Sequence, residues 1–149
     1  MRWKFFLIFW RATGWLLWPF LRFTAHFRLY LPHPEPGSIW LHGSSLGEHQ
    51  AVNALVAKID GHVWRTRSSL RTIIPTTFPA PTDVPWVIER WLDWARPRCL
   101  ILVEAELWPG WMAGCRRRNI PVYVVNYRDS KSTALWKRFG LWKGLTAGT

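Results

Sequence analysis

Cysteine is scarce: Cys99 and Cys115 are the only two in 149 residues. Neither has a CxxC or Cys/His neighbourhood, so no disulfide framework can form and nothing points to a structural zinc or redox site; a reducing compartment fits. Acids are also few, 9 against 20 Lys and Arg, which leaves a formal charge of +11. A partner chosen by charge is therefore anionic: nucleic acid, phospholipid headgroups or a phosphorylated substrate. The chain carries no lysine-containing phosphate loop, no paired metal-ligand histidines and no nucleophile elbow, and neither metal nor cofactor is expected. Internal repeats and low-complexity stretches are missing. With 49% hydrophobic and 19% charged residues, the chain lies far from disordered compositions, and its length is that of one domain.

Long uncharged apolar runs are missing too. Residues 1–30 are apolar and aromatic, yet Lys4, Arg11, Arg22 and Arg28 interrupt them before any run reaches the roughly 18 residues of a membrane span. What is abundant is tryptophan: 13 residues, with Trp3, Trp10, Trp15, Trp18, Trp40 and Trp64 in the first 64. Tryptophan favours the wet edge of an apolar phase. Steps of seven and eleven residues from Lys4 to Arg11 to Arg22 put one basic stripe on an otherwise aromatic helix. The pattern predicts a membrane-associated helix over 1–30, kinked at Pro19 and lying in the headgroup layer of an anionic membrane surface. A bent or tilted single span with snorkelling arginines is the open alternative. No small-residue cleavage site follows, against a signal peptide. An ordinary helix packed on its own domain would need a matching apolar face, and nothing in the sequence identifies one.

Residues 31–37, with Pro32, Pro34, Pro36 and Gly37, read as a linker to a domain over 38–149. Within it, Ser38 to His42 reads as a buried strand, followed by a turn and a helix with Val52, Leu55, Val56 and Ile59 at helical spacing. A strand at Arg71 to Ile74 and a proline-rich loop from Pro75 to Pro85 come next. A helix over Trp86 to Ala95, a continuous apolar strand Cys99 to Val103, a helix Trp108 to Asn119, a strand Pro121 to Val125 and a basic helix Ser130 to Leu141 complete the pattern. Alternating strands and helices predict an α/β, Rossmann-like parallel sheet with helices on both faces.

In such sheets ligands bind beyond the carboxyl ends of the strands. That rule selects His42, Ser44, Ser45 and Glu48 after the first strand, Glu104 and Glu106 after the central one, and Asn126 and Arg128 after the last. Two roles are open to Glu48. Ser45-Leu46-Gly47-Glu48 has the S-x-x-E spacing of a capping box. The same carboxylate, at a glycine turn where a substrate hydroxyl can approach, could act as a general base. Glu104 and Glu106 alternate and would point to opposite sides unless the chain turns at once, as Pro109 suggests; one of them could instead pair with Arg128. His42 reads as a satisfied strand-end histidine.

Three blocks carry a family resemblance. Ile39-Trp40-Leu41-His42-Gly43-Ser44-Ser45-Leu46-Gly47-Glu48 is similar to I-W-[IL]-H-x-x-S-[VL]-G-E. Arg96-Pro97-Arg98-Cys99-Leu100-Ile101-Leu102-Val103-Glu104-Ala105-Glu106-Leu107-Trp108-Pro109 is similar to R-P-x-x-[LV]-[LIV]-[LIV]-[LIV]-E-T-E-[LI]-W-P. Arg116-Arg117-Arg118-Asn119-Ile120-Pro121-Val122, with Val125-Asn126-Tyr127-Arg128, resembles R-R-x-[GN]-I-P-V followed by V-N-[AG]-R. In this order they resemble the N-terminal half of the 3-deoxy-D-manno-octulosonic acid (Kdo) transferases, GT-B glycosyltransferases of lipopolysaccharide biosynthesis. An apolar, basic N-terminal anchor is also a family trait.

The resemblance implies inverting transfer of Kdo from CMP-Kdo to a lipid A precursor at the cytoplasmic face of the inner membrane. It makes Glu48 the base. Ser44, Ser45, Gly47, Glu104, Glu106, Asn126 and Arg128 would bind the acceptor or support the site. The stretch from Val63 to Thr77 departs from the family, being short and arginine-rich where a threonine-rich strand end and a full helix are usual. The family's C-terminal domain, which binds the CMP-sugar, is not among these residues, so the chain is expected to hold half an active site. The alternative is a non-catalytic, membrane-bound lipid-binding or adaptor protein derived from that domain. No nucleic-acid motif accompanies the basic patches at Arg65 to Arg71 and Arg116 to Arg118.

Overall fold

A computed structural model describes residues 2–17, 19, 34–68, 74–104, 106–129 and 131–146. Its elements are α1 (Arg2–Leu16), β1 (Ile39–His42), α2 (Leu46–Ala51), α3 (Asn53–Val56), β2 (Val63–Arg67), β3 (Phe78–Pro79), α4 (Pro85–Ala95), β4 (Cys99–Val103), α5 (Pro109–Arg117), β5 (Val122–Val125), α6 (Lys131–Arg138) and α7 (Trp142–Thr146). The five strands are all parallel, in the order β3-β2-β1-β4-β5. This is the expected α/β sheet. β1 lies at its centre, with Ile39 opposite Cys99 of β4 and Val63 of β2.

Strand alternation divides the core into two layers. Trp40, Leu100, Leu102 and Val122 point to one face, where Ile88, Trp91 and Leu92 of α4 and Trp111, Met112 and Cys115 of α5 cover them. Ile39, Leu41, Ile101 and Val103 point to the other, under Val52, Val56 and Ile59. Ile88, Leu92, Leu100 and Leu102 are fully buried, each contributing roughly 2 kcal/mol by removal from water. Proline opens both α4 and α5, where its missing N–H costs nothing and its φ is already helical.

α5 is held at both ends. The buried Asp83 carboxylate accepts from the amides of Gly110 (3.1 Å) and Trp111 (2.9 Å) in its first turn. At its far end Arg118 donates to Glu89 and Asp93 of α4, and Arg117 pairs with Glu89. Arg116 donates to the Gly144 carbonyl. The basic run thus ties elements together as well as meeting the negative end of the helix dipole.

The sequence missed β2 at Val63–Arg67, and residues 71–73 of the strand expected at Arg71 to Ile74 fall outside the described residues. The proline-rich loop contains β3, whose Phe78 stacks on Trp64 at 4.0 Å. The helix after β1 is broken at Val52 into α2 and α3, which leaves Leu55 exposed. Ser130 lies outside the described residues, and a further helix, α7, follows α6.

Of the helix expected over 1–30, α1 covers Arg2–Leu16, and the stretch with Arg22 and Arg28 falls outside the described residues. No described helix is long and apolar enough to cross a membrane. The missing packing face exists: Phe6 meets Trp136 edge-on at 5.6 Å, Gly14 abuts Pro85, and Trp3 covers Gly144, where a Cβ would come within 2.4 Å of the indole. Lys4 and Arg11 line the seam with α4 and α5. The opposite stripe of Phe5, Ile8, Phe9, Trp15 and Leu16 remains exposed.

Candidate active site

The strand order reverses between β1 and β4, and a ligand crevice is expected at their carboxyl ends. Two acid-bearing turns meet that crevice. After β1, Gly43 leads through Ser44 and Ser45 into α2. After β4, the chain turns at once, with Glu104 in the left-handed region at φ 64°, and runs through Glu106 to α5.

Glu48 adopts the capping geometry. Its backbone N–H approaches Ser45 Oγ at 3.3 Å, Ser45 Oγ donates to its Oε1 at 2.9 Å, and the Ser44 amide donates to its Oε2 at 2.7 Å. The reciprocal bond of a capping box goes to the residue before the cap instead of to the cap itself. These donors fix the carboxylate at the rim. At Gly47 a Cβ would find nothing nearer than Ser45 Oγ at 4.0 Å, so the space beside Glu48 is open. Beneath the loop, His49 is buried. Desolvation, reinforced by the Arg65 charge, lowers its pKa, and its Nε2 lies 3.2 Å from the Gly43 carbonyl. A neutral ring donating there pins the Gly43 turn.

Glu106 belongs to a different network, which starts in the core. The Trp40 indole N–H donates to Thr66 Oγ1 (2.8 Å), which lies 3.0 Å from His42 Nδ1; His42 Nε2 lies 3.1 Å from Glu106 Oε2. Indole can only donate and a carboxylate only accept, so one neutral tautomer satisfies every member: Thr66 donates to Nδ1, and Nε2–H donates to Glu106. Ser68 Oγ also donates to Oε2, at 2.7 Å, and the Trp108 indole approaches it at 3.4 Å. Burial raises the Glu106 pKa, but the donors His42 and Ser68, with the Ser44 hydroxyl beside them, outweigh it and hold the group down at about 2. Ser44 thus serves both acids: its amide holds Glu48, and its hydroxyl, which makes no hydrogen bond of its own, lies near enough to Glu106 to favour the charged form.

The two acids after β4 diverge. Glu106 turns towards β1, whereas Glu104 turns towards β5, where its Oε1 lies 3.8 Å from Arg128 Nε in an exposed pair of little energetic weight. Asn126, at φ 53° and exposed, ends β5. All the rim residues selected from the sequence therefore follow strand ends: Ser44, Ser45, Gly47 and Glu48 after β1, Glu104 and Glu106 after β4, Asn126 and Arg128 after β5. His42 is a satisfied strand-end histidine, fully buried, and it also positions Glu106. Thr66 and Ser68 escaped the sequence reading because β2 was not legible.

Residues 21–148 match the family described as 3-deoxy-D-manno-octulosonic-acid transferase (kdotransferase). The chain belongs to this family. It is 30% identical over 115 residues to 3-deoxy-D-manno-octulosonic acid transferase of Haemophilus influenzae, covering 68% of this chain and 27% of that one. It is 32% identical over 146 residues to a probable mitochondrial 3-deoxy-D-manno-octulosonic acid transferase of Arabidopsis thaliana, covering 80% and 32%. With the transferase of Bordetella pertussis it shares 29% over 119 residues, 68% and 28% of the two chains. The chain thus spans roughly a third of the length of these relatives, whose family is one of glycosyltransferases.

Proposed function

We propose that this chain supplies the acceptor half of a Kdo transferase, which moves Kdo with inversion from CMP-Kdo to a hydroxyl of a phosphorylated, acylated glucosamine lipid, the lipid A precursor, in lipopolysaccharide biosynthesis. The observation that carries the reading is Glu48 anchored at the switch point, beside open space and across from Glu106. In this mechanism the acceptor hydroxyl enters over Gly47 and passes its proton to Glu48 as its oxygen bonds to the anomeric carbon of Kdo. The bond from that carbon to the phosphate oxygen breaks, and CMP leaves with the electron pair. Glu106, already ionised, is no proton donor. Its part is to accept from the acceptor and hold the rim around it. Arg128, 72% exposed and weakly tied to Glu104, would meet an anionic group of the acceptor, with Ser44, Ser45 and Asn126 as further polar contacts. No residue of this chain is assigned to the CMP-sugar.

The same reading places the chain on the cytoplasmic face of the inner membrane. Phe5, Ile8, Phe9, Trp15 and Leu16 form an apolar stripe at helical spacing, and the net charge of +11 suits anionic lipids.

Glu48→Gln tests the base assignment. Glutamine keeps an oxygen for the Ser44 amide, so the melting temperature should hold. In the enzyme assembled with its CMP-sugar-binding part, turnover should fall by about 10²–10⁴-fold. Activity within a few fold of wild type overturns the assignment.

A further inference from the structure

The seam between α1 and the domain contains two adjoining cavities, of about 230 and 260 Å³, that share Trp10 and Pro85 in their linings. An apolar cavity of about 150 Å³ takes a benzene ring, so either one has room for several methylene groups. The first is lined by Leu7, Pro85 and Ala113, with Lys4, Arg11, Arg117 and Glu89 among them. The second is lined by Trp10, Thr13, Leu17, Asp83 and Trp108. Trp108 is the residue whose indole N–H approaches Glu106 at 3.4 Å. A cationic mouth, an apolar interior and the rim of the candidate site thus follow one another along the seam.

The charges at the mouth are not balanced from within the protein. Arg117 pairs with Glu89, but that acid also serves Arg118. Lys4 and Arg11 have no acidic partner among the described residues. In the second cavity, the carboxylate oxygens of Asp83 are both occupied by α5 amides, so its acid does not oppose an apolar guest. Free cations beside an apolar cavity complement a molecule with a phosphate at one end and a hydrocarbon chain at the other.

We propose that the seam between α1 and α4–α5 seats an acyl chain of the phosphorylated lipid acceptor, with Lys4 and Arg11 on a phosphate and Trp108 leading the sugar to the Glu48–Glu106 rim. This rests on the acceptor reading above and adds where the lipid tail lies. It gives α1 a second role: its outer stripe meets the membrane, and its inner face forms one wall of the acyl site.

The test is photo-crosslinking of the 149-residue chain with a bisphosphorylated, acylated glucosamine disaccharide carrying a diazirine on one acyl chain, in mixed micelles with phosphatidylethanolamine. The expected adducts fall on Trp10, Thr13 or Trp108. They should drop about tenfold in a Lys4→Glu/Arg11→Glu double variant, whose two substituted residues are exposed, and in a dephosphorylated probe. Ala113→Leu, which narrows the first cavity, should lower them as well, with circular dichroism confirming the fold. Adducts confined to Phe5, Phe9 and Leu16, or equal labelling by the dephosphorylated probe, overturn the seam. If the lipid binds saturably without seam adducts, the acyl site falls and the acceptor reading stands; if it does not bind at all, both fall.

Discussion

The Gly110 amide donates to Asp83 Oδ2 at 3.1 Å, and a Cβ on Gly110 would lie 2.4 Å from the other oxygen of the same carboxylate. The glycine is there so that a buried acid can reach the first turn of α5. Gly110→Ala should therefore destabilise the domain by about 1–3 kcal/mol, the usual cost of overpacking, measured by urea unfolding. Gly47→Ala is the control. Its Cβ enters open space, so its unfolding midpoint should stay put or rise slightly.

Asp83 also gives stability a pH dependence. Burial raises its pKa to about 7, against the partial relief of the two amides. A carboxyl with a raised folded pKa binds a proton in the native state that the unfolded chain has already released, so its contribution is complete below pH 4 and declines as pH rises towards 7. Asp83→Asn should be less stable at every pH, because its NH₂ faces an amide donor, and should lose this slope. Urea midpoints from pH 4 to 7 give both readings.

Thr66 carries the link from the core to the rim. Thr66→Val leaves the buried Trp40 N–H and His42 Nδ1 without partners, which should cost about 2 kcal/mol or more, whereas Thr66→Ser should keep most of the stability. In the Val variant Glu106 still accepts from Nε2–H, so the tautomer should hold while Nδ1 loses its donor. The ¹⁵N resonance of His42 Nδ1 should then shift, with Nε2 keeping its protonated value.

Glu106 slopes the other way from Asp83. Its pKa lies at about 2, below the ordinary value of 4.5, because the donors around it outweigh its burial. The stability it contributes is present above pH 4.5 and is lost as pH falls towards 2. Glu106→Gln should flatten that part of the acid-unfolding curve. In the parent, the Glu106 carboxyl ¹³C resonance should keep its ionised shift to lower pH than any exposed glutamate does.

What could be read from the sequence follows from burial. β1 and β4 were legible because strands covered on both faces leave unbroken apolar runs, as in Cys99 to Val103; β5, at the sheet edge with Tyr123 exposed, was legible from the short apolar run Val122 to Val125. β2 was not, since Arg65, Thr66 and Arg67 look like loop residues. Thr66 and Arg67 are buried in the strand only because Trp40, His42 and Thr77 satisfy them. The capping of Glu48 could be inferred from a three-residue spacing, but the partners of Glu106 are 38 and 64 residues distant and carry no local signal. α1 is apolar on every side of its basic stripe, so periodicity could not say which stripe packs; Gly14 and Gly144 let α1 approach the domain, and that is settled in three dimensions. Asn119, at φ 52°, explains a position of the third block where glycine or asparagine stands, the residues that best tolerate a left-handed backbone.

The pairing of Ile39 with Cys99 also has a consequence for how the molecule comes into being. The two halves of the rim are joined through strands about 60 residues apart in sequence, a long loop to close before the contacts repay it. β1 and β2, about 24 residues apart, can meet first. During synthesis the nascent chain cannot form the crevice of the candidate site until Glu106 has left the ribosome, so the Ser44 turn exists for a time as an exposed strand end with no acid opposite it.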